Sequence, residues 1–209
     1  METAIKIGKA YQEYLLENGE KPNSVYAFAK KAKLKETEFY EEYNSFTAVE
    51  AAIWKRYFDE TIEKLQQDTT YQNYGAREKL LAFYYTWVEV LKENRSYILV
   101  ALPQNVKLIS ENLKQLQALR QSFSCYVKGL IYEGVEKQEV KQRPFFTEQY
   151  YRFFWLQLLF VLRFWLQDES KGFEKTDTAI EKAVNLSFEM IGNTTLDTAV
   201  DFIKFLIKK

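Results

Sequence analysis

Residues 24–45, SVYAFAKKAKLKETEFYEEYNS, decide how this chain folds. The spacing predicts two short helices joined by a tight turn. Ser24 stands where an N-cap belongs, because its hydroxyl can accept one of the orphan N–H groups of a helix over 24–32. Phe28, Ala29 and Ala32 then share that helix's buried face. Lys33-Leu34-Lys35 forms the turn, and a second helix is expected over 36–43, with Phe39 and Tyr43 four residues apart on one side. Two helices this short cannot enclose a core. Residues 4–17 supply a third, with Ile7, Ala10, Tyr11, Tyr14 and Leu15 at helical spacing. The result is a helix-turn-helix head.

This unit resembles the DNA-binding domain of the TetR/AcrR family of bacterial transcriptional regulators. The resemblance is carried by Gly19, Ser24, Val25, Phe28, Ala29, Ala32, Leu34, Phe39, Tyr40, Tyr43 and Ser45, with Val49 at the last apolar place. Most of these positions pack a core, so they speak more for the fold than for the activity. The resemblance implies an all-α chain of about nine to ten helices. Residues 1–46 would form a helix-turn-helix DNA-binding domain and residues 47–209 a helical ligand-binding and dimerisation domain. It further implies a homodimer on double-stranded operator DNA that responds to a hydrophobic small molecule. On the head, Lys30, Lys31, Lys33, Lys35, Thr37 and Tyr40 are the expected DNA contacts.

The departures from the family pattern fall where DNA would lie. Lys33 replaces a Gly, which is tolerable where no positive φ is required. Glu36, Thr37 and Glu38 replace a basic or small residue, a Gly and a Thr, Glu41-Glu42 follow Tyr40, and Phe46 stands where a Lys often follows the Ser. Residues 1–50 hold seven Lys, no Arg and nine Glu, a net charge of −2. Two explanations stay open. The glutamates form a solvated face, with Glu36 and Glu38 favourable to the helix dipole. Alternatively the head has left DNA, since phosphate neutralisation supplies most non-specific affinity. Acidity alone does not exclude readout, because Glu can accept a hydrogen bond from cytosine.

Over the whole chain, Lys+Arg and Asp+Glu both number 29, so no global field attracts nucleic acid. Hydrophobic residues make up 47%, enough for a core, while Gly and Pro number only seven and three and Pro22, Pro103, Pro144, Gly19, Gly75 and Gly172 fall at breaks, so the expected class is all-α. The one cysteine, Cys125, cannot form a disulfide within the chain, which fits a reducing cytoplasm, and the N-terminus lacks a signal-peptide core. The chain is expected to be cytoplasmic.

After the head, helices are expected over 45–68, 75–94, 95–102, 106–135, 145–168 and 177–191. Residues 150–166, YYRFFWLQLLFVLRFWL, are apolar nearly all round but interrupted by Arg152, Gln157 and Arg163. That is too short and too polar to span a membrane and needs cover on both faces. A symmetric dimer would cover it, and Trp155, Leu159, Leu162, Val184 and Phe188 are the expected dimer contacts. A last amphipathic helix over 195–209 is expected to dock on the protein or to lie on a membrane surface through its apolar face and Lys204, Lys208 and Lys209.

With no His, the commonest general base and most catalytic zinc sites are excluded, and no Gly-rich phosphate loop is present. Glu41-Glu42 and Asp168-Glu169 read as solvated charge. No catalysis, cofactor or metal is expected. Aromatics make up 17%, and Phe83, Tyr84, Trp87, Phe123 and Tyr126 cluster on two helices; core packing alone explains such a stripe, and the other reading is an apolar ligand pocket with a few phenolic hydroxyls. The alternative to a regulator is a TetR-fold protein that has lost DNA binding and holds a lipid or other apolar molecule.

Overall fold

In the computed structural model, which describes residues 2–102, 113–140 and 147–192, the backbone is extended at Ser24 and its Oγ accepts the Ala27 N–H at 3.1 Å. The cap opens α2, Val25–Lys31. Before it lies α1, Glu2–Asn18, which stops at Gly19, where φ is +71° and the N–H bonds Leu15 O at 2.8 Å. Then follow α3 (Glu36–Glu42), α4 (Phe46–Gln67), α5 (Ala76–Glu93), α6 (Arg95–Ala101), α7 (Gln117–Glu136), α8 (Thr147–Gln167) and α9 (Glu174–Gly192). Among the described residues these nine helices occur with no strand, so the all-α expectation holds. The expected helix over 195–209 lies outside the described residues.

The described chain divides into two compact units. One lies within Met1–Lys64 and Thr86–Phe123, the other within Leu65–Tyr85 and Ser124–Lys209. In the first unit, α1, α2 and α3 close on an aromatic core. Phe28 and Phe39 have no more than 1% exposure and meet edge to face at 6.0 Å. Phe46, at the start of α4, stacks on Tyr11 at 5.4 Å and meets Phe28 and Phe39 at 5.5 and 5.4 Å. Burying each Phe contributes about 1.5–3 kcal/mol, which is how helices of one or two turns persist. Phe46 is half-buried, with its ring packed against this core.

A polar network ties α1 to α4 in the same unit. Glu50 on α4 is 1% exposed; Tyr11 donates to it at 2.7 Å and Lys21 pairs with it at 2.8 Å. Gln12 donates to the Tyr57 hydroxyl at 2.6 Å and accepts from Arg56 at 2.7 Å. Tyr97 on α6 is 2% exposed, and its hydroxyl has no hydrogen-bond partner among the described residues. Burial first, then Glu50, holds the Tyr11 and Tyr97 phenols far above their ordinary range.

In the second unit, Gly134 of α7 lets Val140 and Ala76 approach so closely that a Cβ there would sit 2.8 Å from Val140 Cγ2. The Glu139 carboxylate accepts the Ala76 N–H at 2.8 Å and so caps α5. A buried chain of hydrogen bonds ties α5, α8 and α9 together. Tyr84 donates to Gln157 at 3.2 Å, Gln157 to Ser187 at 2.5 Å, and Ser187 to Ala183 O at 2.7 Å.

Three local expectations are corrected. Helix α7 begins at Gln117, not near 106; Leu113 is extended and Lys114–Leu116 is a 3-10 turn. Leu113, Leu116 and Leu119 are three apart, a spacing that a 3-10 turn and an α-helix share. Residues 106–112 of the expected helix lie outside the described residues. Helix α9 begins at Glu174, a turn early, because Asp168 caps it. Asp168 is 5% exposed, not solvated. Its Oδ1 accepts from Ser170 N and Oγ, at 2.8 and 2.6 Å, and its Oδ2 from Thr176 N and Oγ1, at 2.9 and 2.6 Å. Burial raises its pKa, but these four bonds outweigh that and bring it down to about 2.

Candidate functional site

The turn between α2 and α3 bends at Lys33, whose φ is +54°, in the left-handed region that glycine adopts freely. A lysine is thus held where the resemblance places a Gly, at a strain of about 1–2 kcal/mol. Lys30, Lys33 and Lys35 are exposed around this turn, and no carboxylate among the described residues pairs with them. Lys31 differs. Its Nζ lies 2.7 Å from Glu17 Oε2 and 4.7 Å from the Tyr14 ring centre, which ties it to α1. Lys21 is likewise held by Glu50, so neither is a free cation.

The orientation of α3 is set by Phe39, which has no exposure. Thr37 and Glu41 lie two residues either side of it, about 200° around the helix, and so point away from the core. Both are exposed, as is Tyr40 at 54%, with its ring edge-on to Phe39. Glu38 turns back instead: its Oε2 accepts the Lys35 N–H at 2.6 Å and caps the helix. The sequence shows a run of acids here, whereas the structure separates a cap from the outward-facing side chains.

The aromatic residues expected to line a ligand pocket are divided between the units. Phe83, Tyr84 and Tyr126 belong to the second, Trp87 and Phe123 to the first. Phe83, Tyr84, Trp87 and Phe123 have no exposure and Tyr126 is half-buried. Phe83 packs on Tyr126 at 4.9 Å. The Tyr126 hydroxyl donates to Lys79 O at 3.0 Å and meets the Tyr71 hydroxyl at 2.8 Å. These phenols already have protein partners.

The residues expected at the dimer interface are all inside the second unit. Trp155, Leu159, Leu162, Val184 and Phe188 are at most 5% exposed within the single chain. The apolar side chains that do face outward sit beside them: Leu156 at 43%, Phe160 at 49%, Leu186 at 56% and Met190 at 36%. Phe153, Leu156, Phe160, Phe164 and Leu186 line an open groove of about 710 Å³ between α8 and α9, with Gln157 in its wall and Lys175 and Lys182 at its edge. No helix among the described residues is long and apolar enough to cross a membrane.

Residues 79–206, more than half the chain, match the family model of the tetracyclin repressor-like C-terminal domain. The chain belongs to the TetR family. No curated protein matches it. The matched span takes in α8, α9 and the apolar groove, and in TetR-family terms it is the body; it does not extend over α1–α4. The match does not bear on the head, of which the α1–α3 geometry above is the description. The outward stripe on α8 was legible as surplus hydrophobicity in residues 150–166, but nothing in that run distinguishes the inward face from the outward one.

Proposed function

We propose that this TetR-family protein is a transcriptional regulator that binds operator DNA as a homodimer and responds to a hydrophobic small molecule. The head over 1–46 holds the DNA and the body over 47–209 holds the partner and the ligand. The observation that carries this reading is the α2–turn–α3 unit with Lys30, Lys33 and Lys35 unpaired at the turn and Thr37, Tyr40 and Glu41 facing out, in a chain whose body matches the TetR family. The three lysines and the Tyr40 hydroxyl contact phosphates, positioning α3 in the major groove. Lys31 joins them only by giving up Glu17. The protein acts in the cytoplasm and by binding rather than catalysis.

The dimer forms through Leu156, Phe160, Leu186 and Met190, because a two-fold axis beside them buries the same apolar stripe from both chains. The ligand is apolar or aromatic and meets Phe83, Tyr84 and Tyr126 in the second unit by opening their packing. The test is binding of the purified protein to the DNA upstream of its own gene beside random fragments, at low and physiological salt. Preference for the upstream DNA that persists at physiological salt supports the regulator; no binding even at low salt sinks it.

A second reading is favoured by the acidic face of α3 together with the exposed groove on α8 and α9. In it the head no longer binds DNA, and the protein holds a lipid or other apolar molecule, with 195–209 on a membrane surface. Co-sedimentation with vesicles containing anionic lipid separates the two: partitioning that is lost on truncation to 1–193 supports this reading, and no partitioning of the full chain removes it.

A further inference from the structure

We infer that Glu41 reads a cytosine in the major groove and sets base preference at one position of each half-site. The inference rests on the DNA-binding role proposed for the head.

The four glutamates of α3 are not equivalent. Glu38 is occupied as the cap on the Lys35 N–H. Glu36 and Glu42 lie three residues either side of Phe39, about 60° from the direction that faces the core. Glu41 is left opposite the buried Phe39, exposed, and on the same line as exposed Thr37. It lies on the outward face of α3, the helix proposed to enter the major groove.

A carboxylate there only accepts hydrogen bonds. Guanine presents two acceptors in the major groove, thymine an acceptor and a methyl, and adenine a donor beside an acceptor. Cytosine presents its N4 amine with no acceptor beside it. The carboxylate is thus matched by one base and opposed by acceptors on the other three. The acidic helix and the lysine-bearing turn divide the work: Lys30, Lys33 and Lys35 serve the backbone, and Glu41 serves one base. This also accounts for an acid being placed where a phosphate contact would require a base.

The amide of Gln keeps an acceptor and adds a donor, which suits the N6 and N7 of adenine. Selection of randomised duplexes by the full-length protein and by Glu41→Gln reads this directly. The wild type is expected to enrich cytosine at one position of each half-site by about tenfold. Glu41→Gln is expected to move that preference to adenine while the other positions keep theirs, and Glu38→Gln to leave all base preferences in place. Identical base preferences for wild type and Glu41→Gln, or a switch produced by Glu38→Gln instead, would overturn the assignment while leaving the regulator standing. A wild type that selects no duplex even at low salt removes both.

Discussion

Replacing Asp168 by Asn is expected to destabilise the protein by on the order of 2 kcal/mol at neutral pH. The magnitude follows from the turn between α8 and α9. The carboxylate accepts four hydrogen bonds, two of them from Thr176, which has no exposure and stands in the first turn of α9. Asn keeps one accepting oxygen and turns an amine toward donors, so one pair of bonds is lost and buried Thr176 groups go unpaired. The pKa gives a consistent figure. A carboxyl near 3.9 in the unfolded chain lies at about 2 in the fold, a difference of about two units at 1.36 kcal/mol each. Because the folded pKa is depressed, this stabilisation is complete above about pH 4 and is lost as pH falls through about 2. Urea denaturation of wild type and Asp168→Asn at pH 7 and pH 3 measures both quantities. The gap should be largest at pH 7 and narrower at pH 3. A gap below about 0.5 kcal/mol at pH 7, or one that widens on acidification, would refute the capping role.

Other outcomes are equally specific. Lys33→Gly relieves the positive φ at the turn; after the entropy glycine costs in the unfolded chain, a gain of up to about 1 kcal/mol in denaturation stability is expected, and a loss would show that Lys33 is not strained. Tyr11→Phe removes the donor to buried Glu50 and should cost about 1–2 kcal/mol, whereas Tyr97→Phe removes a hydroxyl with no partner among the described residues and should be neutral or stabilising; equal losses would contradict the network. Leu156→Asp with Leu186→Asp should convert a dimer to a monomer in sedimentation without unfolding it, since both side chains are largely outside the core. A wild type that sediments as a monomer, or a variant that stays dimeric, would move the interface elsewhere.

The head was legible because its signals are local. Ser24 caps, Gly19 stops a helix, and Phe28, Phe39, Tyr11 and Leu15 fall at helical spacing, so α1, α2 and α3 lie within a few residues of where the pattern places them. What the residues could not reveal depends on tertiary placement. Asp168 and Glu139 cap helices distant in sequence or one turn away, and no sequence spacing marks a carboxylate for that task. Glu38 and Glu41 look alike in sequence; only the burial of Phe39 and the return of Glu38 to Lys35 separate them. On α8, Trp155 and Leu159 share a run with Leu156 and Phe160, and a helix apolar on both sides carries no mark of which side its own chain will cover. The strain at Lys33 was hidden because a lysine, unlike glycine, does not announce a positive φ.

The salt dependence of DNA binding tests the central claim most directly. If Lys30, Lys33 and Lys35 of two heads neutralise phosphates, the logarithm of the association constant should fall against the logarithm of salt concentration with a slope of about −5. Replacing all three by Glu should bring the slope close to zero and abolish binding at physiological salt. A wild-type slope near zero, or a triple variant with unchanged affinity and slope, would contradict a DNA-binding head.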